Sequence, residues 1–509
     1  MADIGLSSDG PSSPPEHAIL VSAGEAAGAS TLRRGRLSMV EVLAQSVANA
    51  APSAAMALLP LLVFLSAGNG TWVSFLIALV LMLCVGYCAA QFARRMTSAG
   101  SFYVWVTRGL GPGAGYMAGW GLQLGYIATG VATLLGFAIF GADLLGHLGV
   151  PAGNRWVYLA LFLFDFVVPL AVAIRDMGIS ARTSLVLESI SIGIILVLCV
   201  TIWVHHGGVL SMPELRLQGS GLSGIVVGVV LAVFAFVGFE SAGSLGMEAR
   251  NPYRAVGRAI LLSCLIVGLF YTVVSYSQVY GFQGSGHSFA KSQAPLPDLA
   301  QIVGLGFLAP IIDLGIMCSM FACTLACINA GGRMAFAMAH DGIGAAQMAV
   351  THRTHRTPHV ALATVAVPML LIPAVLTLVG LSPIDQTGWA GTVATFGFML
   401  AYVLVCVAAI VFTARLGRLT PFLVAVAVVG AAVQCFVFWA SWLPQSIPGG
   451  LFPPLSGVAA YLPYVFFAWL AVGLVWLLIV RARNPEAARL IGSRFEAEVA
   501  AEPVTATGE

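Results

Sequence analysis

The sequence predicts an all-α membrane protein with twelve transmembrane helices, and three observations lead there. Of its 509 residues, 59% are hydrophobic and only 9% charged, against about a quarter charged in an ordinary globular domain. Uncharged apolar runs of helix length follow one another from Val40 to Val480, each close to the roughly 20 residues that cross a bilayer. The basic residues alternate between the two sides: of 23, only Arg155, Arg216 and Lys291 fall opposite the rest. Because Lys and Arg concentrate on the cytoplasmic side, both termini are expected inside, which requires an even number of spans. No stretch is left over for a soluble domain.

Residues 1–36, rich in Ser, Gly, Pro and Ala, lack the basic-then-apolar order of a signal peptide and are expected to form a disordered cytoplasmic tail. The transmembrane body covers 37–481. Runs at 41–66 and 72–93 give the first two spans, with Arg94 and Arg95 at the inner end of the second. The third, 115–142, follows Arg108, and the fourth and fifth, 156–174 and 184–204, enclose an inner loop with Arg175 and Arg182. The sixth, 222–248, ends at Arg250; the seventh and eighth are 256–281 and 305–338. Runs at 359–380, 389–414, 419–443 and 460–480 complete the set, and 482–509 forms a second cytoplasmic tail. Segments apolar on every side must be helices, since an open strand edge in lipid leaves backbone groups without partners.

Two of these runs contain helix breakers at mid-depth. In the first, Asn49-Ala50-Ala51-Pro52-Ser53-Ala54-Ala55 places a proline whose ring clashes with the carbonyl of Ala48 and which donates no hydrogen bond. The helix is expected to open there, freeing the amides of Ser53, Ala54 and Ala55 at the positive end of an outer half-helix, a setting for a carboxylate. In the sixth, Phe234-Ala235-Phe236-Val237-Gly238-Phe239-Glu240-Ser241 sets a glycine beside an acid; unwinding there ends an outer half-helix in carbonyls that suit an ammonium group or a cation. The pair would grip both ends of a zwitterion. Either break alone is also compatible with an ordinary kink, because Gly and Pro are frequent in membrane helices.

Around these breaks the sequence resembles the amino acid, polyamine and organocation permease superfamily. The resemblance lies in Phe92-Ala93-Arg94-Arg95 through Ser98-Ala99-Gly100-Ser101-Phe102-Tyr103 to Gly109-Leu110-Gly111-Pro112 and Gly119-Trp120; in Phe236 to Ser241 with Glu248 and Asn251-Pro252; and in Asn329-Ala330-Gly331-Gly332-Arg333 through His340-Asp341-Gly342 to Thr357-Pro358. Their order and spacing match across most of the chain. The resemblance implies two inverted five-helix repeats, at about 41–204 and 222–414, plus two extra C-terminal helices, and alternating-access transport of a small amino acid or, alternatively, a polyamine or other organic amine. It implies a bacterial plasma-membrane location, with the substrate, a coupling proton and membrane lipid as partners. The family's glycine-rich tripeptide in the first break falls here on Ser53-Ala54-Ala55, and Phe234 aligns with an aromatic that closes over substrate in related antiporters; a packed or lipid-facing ring is the other reading of Phe234.

Ala51, Pro52, Ser53, Ala54 and Ala55 and Phe234, Val237, Gly238 and Phe239 are therefore the expected substrate-binding residues. Gln123 and Tyr126 on the third span and Tyr402 on the tenth join them as polar groups on apolar helices, or bond to a neighbouring helix instead. A charge inside the bilayer costs at least about 2.5 to 3.5 kcal/mol and calls for a partner or a function. Glu240, beside the second break, is expected to carry the coupled proton or to sense pH. Packing roles are expected for Asp165 and for Glu188, with Arg182 within two turns of the latter. Ser319 and Thr324 on the eighth span, with first-span carbonyls, form a possible sodium site, since sodium needs oxygen ligands.

Other functions find little support. The net charge of +2 gives no field for nucleic acid, no nucleotide-binding loop or catalytic triad is discernible, and no cofactor or metal is expected. Cys318, Cys323 and Cys327 with Met317 and Met320 offer soft ligands, yet spacings of five and four spread the thiols around the helix. An ion channel or metal carrier would need rings of like residues along an open path, and a receptor would not need paired broken helices.

Overall fold

A computed structural model describes residue 32 and residues 35–151, 153–292, 294–447, 452 and 455–492; nearly all of the expected N-terminal tail and the chain beyond 492 lie outside the described residues. Among those residues there is no strand, only a parallel bridge between Leu37 and Ala249. Ten helical stretches are long and apolar enough to cross a membrane. The difference from twelve lies in the first two runs and the sixth. Met39–Ala93 is one continuous stretch containing three helices, α1 (Met39–Ala50), α2 (Pro52–Ala67) and α3 (Thr71–Ala93), the last two joined by a 3-10 turn at Gly68–Gly70. The sixth run is helical only as α9 (Leu222–Phe234), too short to count as a crossing.

Between these lie α4 (Phe102–Leu110), α5 (Pro112–His147), α6 (Arg155–Arg175), α7 (Met177–His205) and the single turn α8 (Met212–Leu215). After the sixth run come α10 (Pro252–Phe282), α11 (Pro295–Ile302), α12 (Ala309–His340), α13 (His359–Leu378), α14 (Pro383–Arg415), α15 (Pro421–Trp442), α16 (Leu462–Arg483) and α17 (Pro485–Arg489). Most long helices start and stop within a few residues of their apolar runs; α14 begins six residues early, at Pro383, α5 ends five late, at His147, and α7 begins seven early, at Met177, where the Asp176 side chain caps the amides of Gly178 and Ile179. The capping removes two orphan donors at the polar end.

Burial sorts the helices into a centre and a rim. Helices α5 and α12 are enclosed along most of their length, while α6, α15 and α16 expose most of theirs as an apolar surface. Lipid is as apolar as Leu, so packing at the centre must come from close approach of backbones. Gly121 and Gly125 on α5 receive Gly397 of α14: a Cβ on Gly397 would lie 2.4 Å from the Gly121 carbonyl oxygen and 2.9 Å from the Gly125 amide. That contact holds α14, and with it Tyr402, against Tyr126 of α5.

Candidate functional site

The first run breaks at Ala51, which adopts left-handed backbone angles of φ 44° and ψ 57°. Its amide still donates to Ala48 O, so α1 ends in a tight turn, and Pro52 then starts α2. A non-glycine residue in this conformation costs about 1–2 kcal/mol, a strain held by surrounding contacts. Ser53 and Ala54 occupy the first turn of α2, where amides lack an intrahelical partner. The Ala55 amide is already taken by Ala51 O at 2.9 Å. The freed set at this helix end is therefore Ser53 and Ala54.

The second break is longer. After Phe234, the last residue of α9, the chain runs through turns to a 3-10 segment at Ser241–Leu245, with bonds from residue i+3 back to i at Val237, Phe239, Ser241 and Gly243. Gly238 sits at φ +95°, where its missing Cβ leaves room for Asn49: a Cβ there would lie 2.4 Å from Asn49 Nδ2. Asn49 Nδ2 donates to Gly238 O at 3.2 Å. The Tyr271 hydroxyl lies 3.1 Å from Ala50 O and 2.6 Å from Ala235 O, bridging one carbonyl of each break. The two interruptions are thus in contact.

Glu240 is fully buried two residues beyond Gly238. Tyr126 donates to its Oε1 at 2.9 Å and Tyr402 to its Oε2 at 2.5 Å. The Tyr402 oxygen also accepts from the Gly238 amide at 3.2 Å. A phenol that donates to the carboxyl and accepts from the break ties the state of Glu240 to the backbone there. Phe239 packs its ring 5.6 Å from that of Tyr402, and its carbonyl accepts from Ser263. Phe234 and Val237 are partly buried at the break.

Other expected site residues have other partners. Gln123, three residues before Tyr126 on α5, lines an apolar groove with Trp120, Met338 and Trp476, and its Oε1 has no partner among the described residues. Ser319 and Thr324 do not share a site: Ser319 donates to Glu188 Oε1 at 3.0 Å, whereas Thr324 donates to Asp165 Oδ2 at 2.9 Å and meets Thr133 Oγ1 at the same distance. Arg182 pairs with Glu41 of α1 at 2.9 Å rather than with Glu188. Glu188 instead points at Ser53, whose Oγ is 3.5 Å from Oε1 and whose backbone amide faces the same carboxyl.

On the arginine-rich face the two interrupted runs are stitched together. The Arg36 and Leu37 amides donate to Glu248 O, and Arg250 N donates back to Leu37 O, all at 2.9 Å. Buried Arg333 grips Glu248 through Nε (2.6 Å) and a second nitrogen (3.2 Å), the bidentate geometry that arginine favours. Tyr103, at the start of α4, hydrogen-bonds Asp341, and burial together with that carboxylate raises its hydroxyl well above the ordinary tyrosine value. Tyr271 did not stand out in the sequence, because it sits in an apolar run with no breaker beside it, and Asn49 entered only as the first residue of the broken segment.

Residues 41–488 match the family described as amino acid permease. The chain is similar to a branched-chain amino acid permease of Bacillus subtilis, 26% identical over 363 residues that cover 68% of this chain and 74% of that protein. It is similar to a branched-chain amino acid permease of Lactococcus lactis, 24% identical over 423 residues, 78% of this chain and 87% of the other. Similarity to mouse cationic amino acid transporter 4 is 28% over 329 residues, 61% of this chain and 51% of that one.

Proposed function

Because the chain belongs to the amino acid permease family, and is accordingly a multi-pass membrane transporter and not an enzyme, we propose that it carries a small neutral amino acid by proton-coupled alternating access. The contact between the two helix breaks supports this reading above all. The substrate carboxylate would meet the amides of Ser53 and Ala54, at the positive end of α2. Its ammonium group would meet carbonyls of residues 234 to 238; that of Ala235 accepts from Tyr271 and has a second lone pair to offer, whereas that of Gly238 already accepts from both Asn49 and the Ser241 amide. Ala51, Ala54 and Val237 would present an apolar wall to the side chain. Both Glu240 oxygens are engaged by tyrosines, which disfavours a polyamine in need of a second free carboxylate.

The same reading comprises twelve crossings, with α1–α2 and α9 plus its unwound continuation as the broken first and sixth spans. It includes two inverted repeats of five spans, two peripheral helices, both termini in the cytoplasm, and Glu240 as a proton-coupling residue in a bacterial plasma membrane. A thermal-shift screen of the purified protein against amino acids, polyamines and other amines tests the substrate class. A ligand that binds only the folded form raises apparent stability by about 2.7 kcal/mol at a hundredfold excess over its dissociation constant. Stabilisation by neutral amino acids is expected; stabilisation by polyamines alone would refute the reading.

A further inference from the structure

One face of α7 is polar over about three turns. Ser180, Ser184, Glu188 and Ser191, spaced four, four and three apart, are all buried, and such spacing keeps them on one side of a helix. Along α12 they meet Asn329, whose Nδ2 donates to Ser180 Oγ at 2.6 Å, and Ser319, which donates to Glu188. Ser184 Oγ, Ser191 Oγ and Glu188 Oε2 have no hydrogen-bond partner among the described residues. Glu240, the other buried acid beside the breaks, has both oxygens satisfied. Asp165 Oδ1 and Glu214 Oε2 are likewise without a partner among the described residues, so what sets Glu188 apart is its place beside the first break.

The Glu188 carboxyl is aimed at the N-terminus of α2, a helix of 16 residues, through the Ser53 hydroxyl and amide. The transport function proposed for the paired breaks, on which this inference rests, puts the substrate carboxylate at the same helix end. Two carboxylates cannot both stay charged there; one must take a proton. Around Glu188 the titratable neighbours are Tyr271 on α10 and Cys318 and Cys323 on α12, and no ion pair to it is made among the described residues.

We propose that Glu188 couples proton uptake to substrate binding by competition: in the empty protein its carboxylate holds the α2 N-terminus, and an arriving amino acid carboxylate displaces it as Glu188 accepts one proton. When the substrate leaves, the proton leaves and the carboxylate returns, so that Glu188 takes up one proton for each amino acid bound, apart from any carried by Glu240. The hydroxyls of Ser184 and Ser180, each able to donate and accept, lead from Glu188 towards the arginine-rich face.

Proteoliposomes containing wild type or Glu188→Gln, loaded with a pH-sensitive dye, test the coupling. Wild type is expected to acidify the lumen as the amino acid enters and to accumulate it along an imposed pH gradient. E188Q should lose that accumulation by at least about tenfold, a normal size for a coupling between two bound species, while retaining measurable counterflow, which needs no gradient. Gradient-driven accumulation by E188Q equal to wild type would overturn the proposal. Should E188Q not fold, Ser319→Ala keeps the carboxyl and removes its nearest donor; the pH midpoint of uptake should move by at least about half a unit, and an unmoved midpoint would also overturn it. Absence of counterflow by wild type with every amino acid counts against the substrate reading instead. Glu188 is then followed by infrared spectroscopy, where a titrating carboxyl band missing from E188Q or shifted in S319A supports proton exchange and a band unchanged in both rejects it.

Discussion

Replacing Tyr271 by Phe removes one oxygen from the contact between the two helix breaks and little else. The ring packs 5.9 Å from Phe75 and 5.2 Å from Phe236, contacts that phenylalanine retains. The hydroxyl has a single proton, so its bonds to Ala235 O at 2.6 Å and Ala50 O at 3.1 Å are one strong interaction and one weak, shared one. A buried hydrogen bond contributes about 0.5–1.5 kcal/mol, and a carbonyl left without its donor costs about 1–3 kcal/mol. Water cannot make up the loss, because Tyr271 is fully buried. A destabilisation of roughly 2 kcal/mol results, equivalent to about a thirtyfold change in an equilibrium constant. The assay is paired: thermal unfolding of Y271F in detergent, and substrate affinity from the ligand concentration that shifts it. Lower stability with substrate affinity weakened by about tenfold or more is expected. A variant equal to wild type in both would refute the claim that the breaks are held together through this hydroxyl.

Three further outcomes are expected. Gly238→Ala puts a Cβ 2.4 Å from Asn49 Nδ2 and 2.8 Å from Asn49 O at a φ of +95°, so backbone strain of about 1–2 kcal/mol and overpacking of about 1–3 kcal/mol should lower the melting temperature well below that of Y271F. Glu240→Gln should flatten the pH profile of uptake in proteoliposomes while the protein stays folded, since tyrosines can still bond to an amide; an unchanged profile would remove the proton-coupling role. Glu214, on the single turn α8, is buried, which pushes its carboxyl up from 4.5 to about 9. The folded chain then holds a proton that the unfolded chain releases, so stability should be greatest below 4.5 and fall as pH rises towards about 9; pH-resolved unfolding of Glu214→Gln should lack that part of the slope.

The spans were legible in the sequence because lipid imposes a simple rule, uncharged helices of fixed length, and the first break because Pro52 admits no continuous helix. The reach of the second break was not. Beyond Glu240 the segment Ser241–Leu245 is 3-10 rather than α, and hydropathy does not separate the two. Side-chain partners were the least legible, for geometric reasons. Arg182 lies six residues before Glu188, about 240° around an α-helix at 100° per residue, so the arginine faces Glu41 while the acid faces Ser53. Ser319 and Thr324, five apart, differ by about 140° and reach different carboxylates, Glu188 and Asp165. Gln123 stands three residues from Tyr126 and both pack beside Gly331 of α12, yet Gln123 lines an apolar groove while the Tyr126 hydroxyl bonds to Glu240.

Electron cryomicroscopy of the protein with an amino acid identified by thermal shift is the most direct measurement of whether the paired breaks bind substrate. The expected result is ligand density with its carboxylate within hydrogen-bonding reach of the Ser53 and Ala54 amides and its amino group on carbonyls between Phe234 and Gly238. Density for the ligand away from both Ala51 and Gly238, with those two segments unchanged, would contradict it.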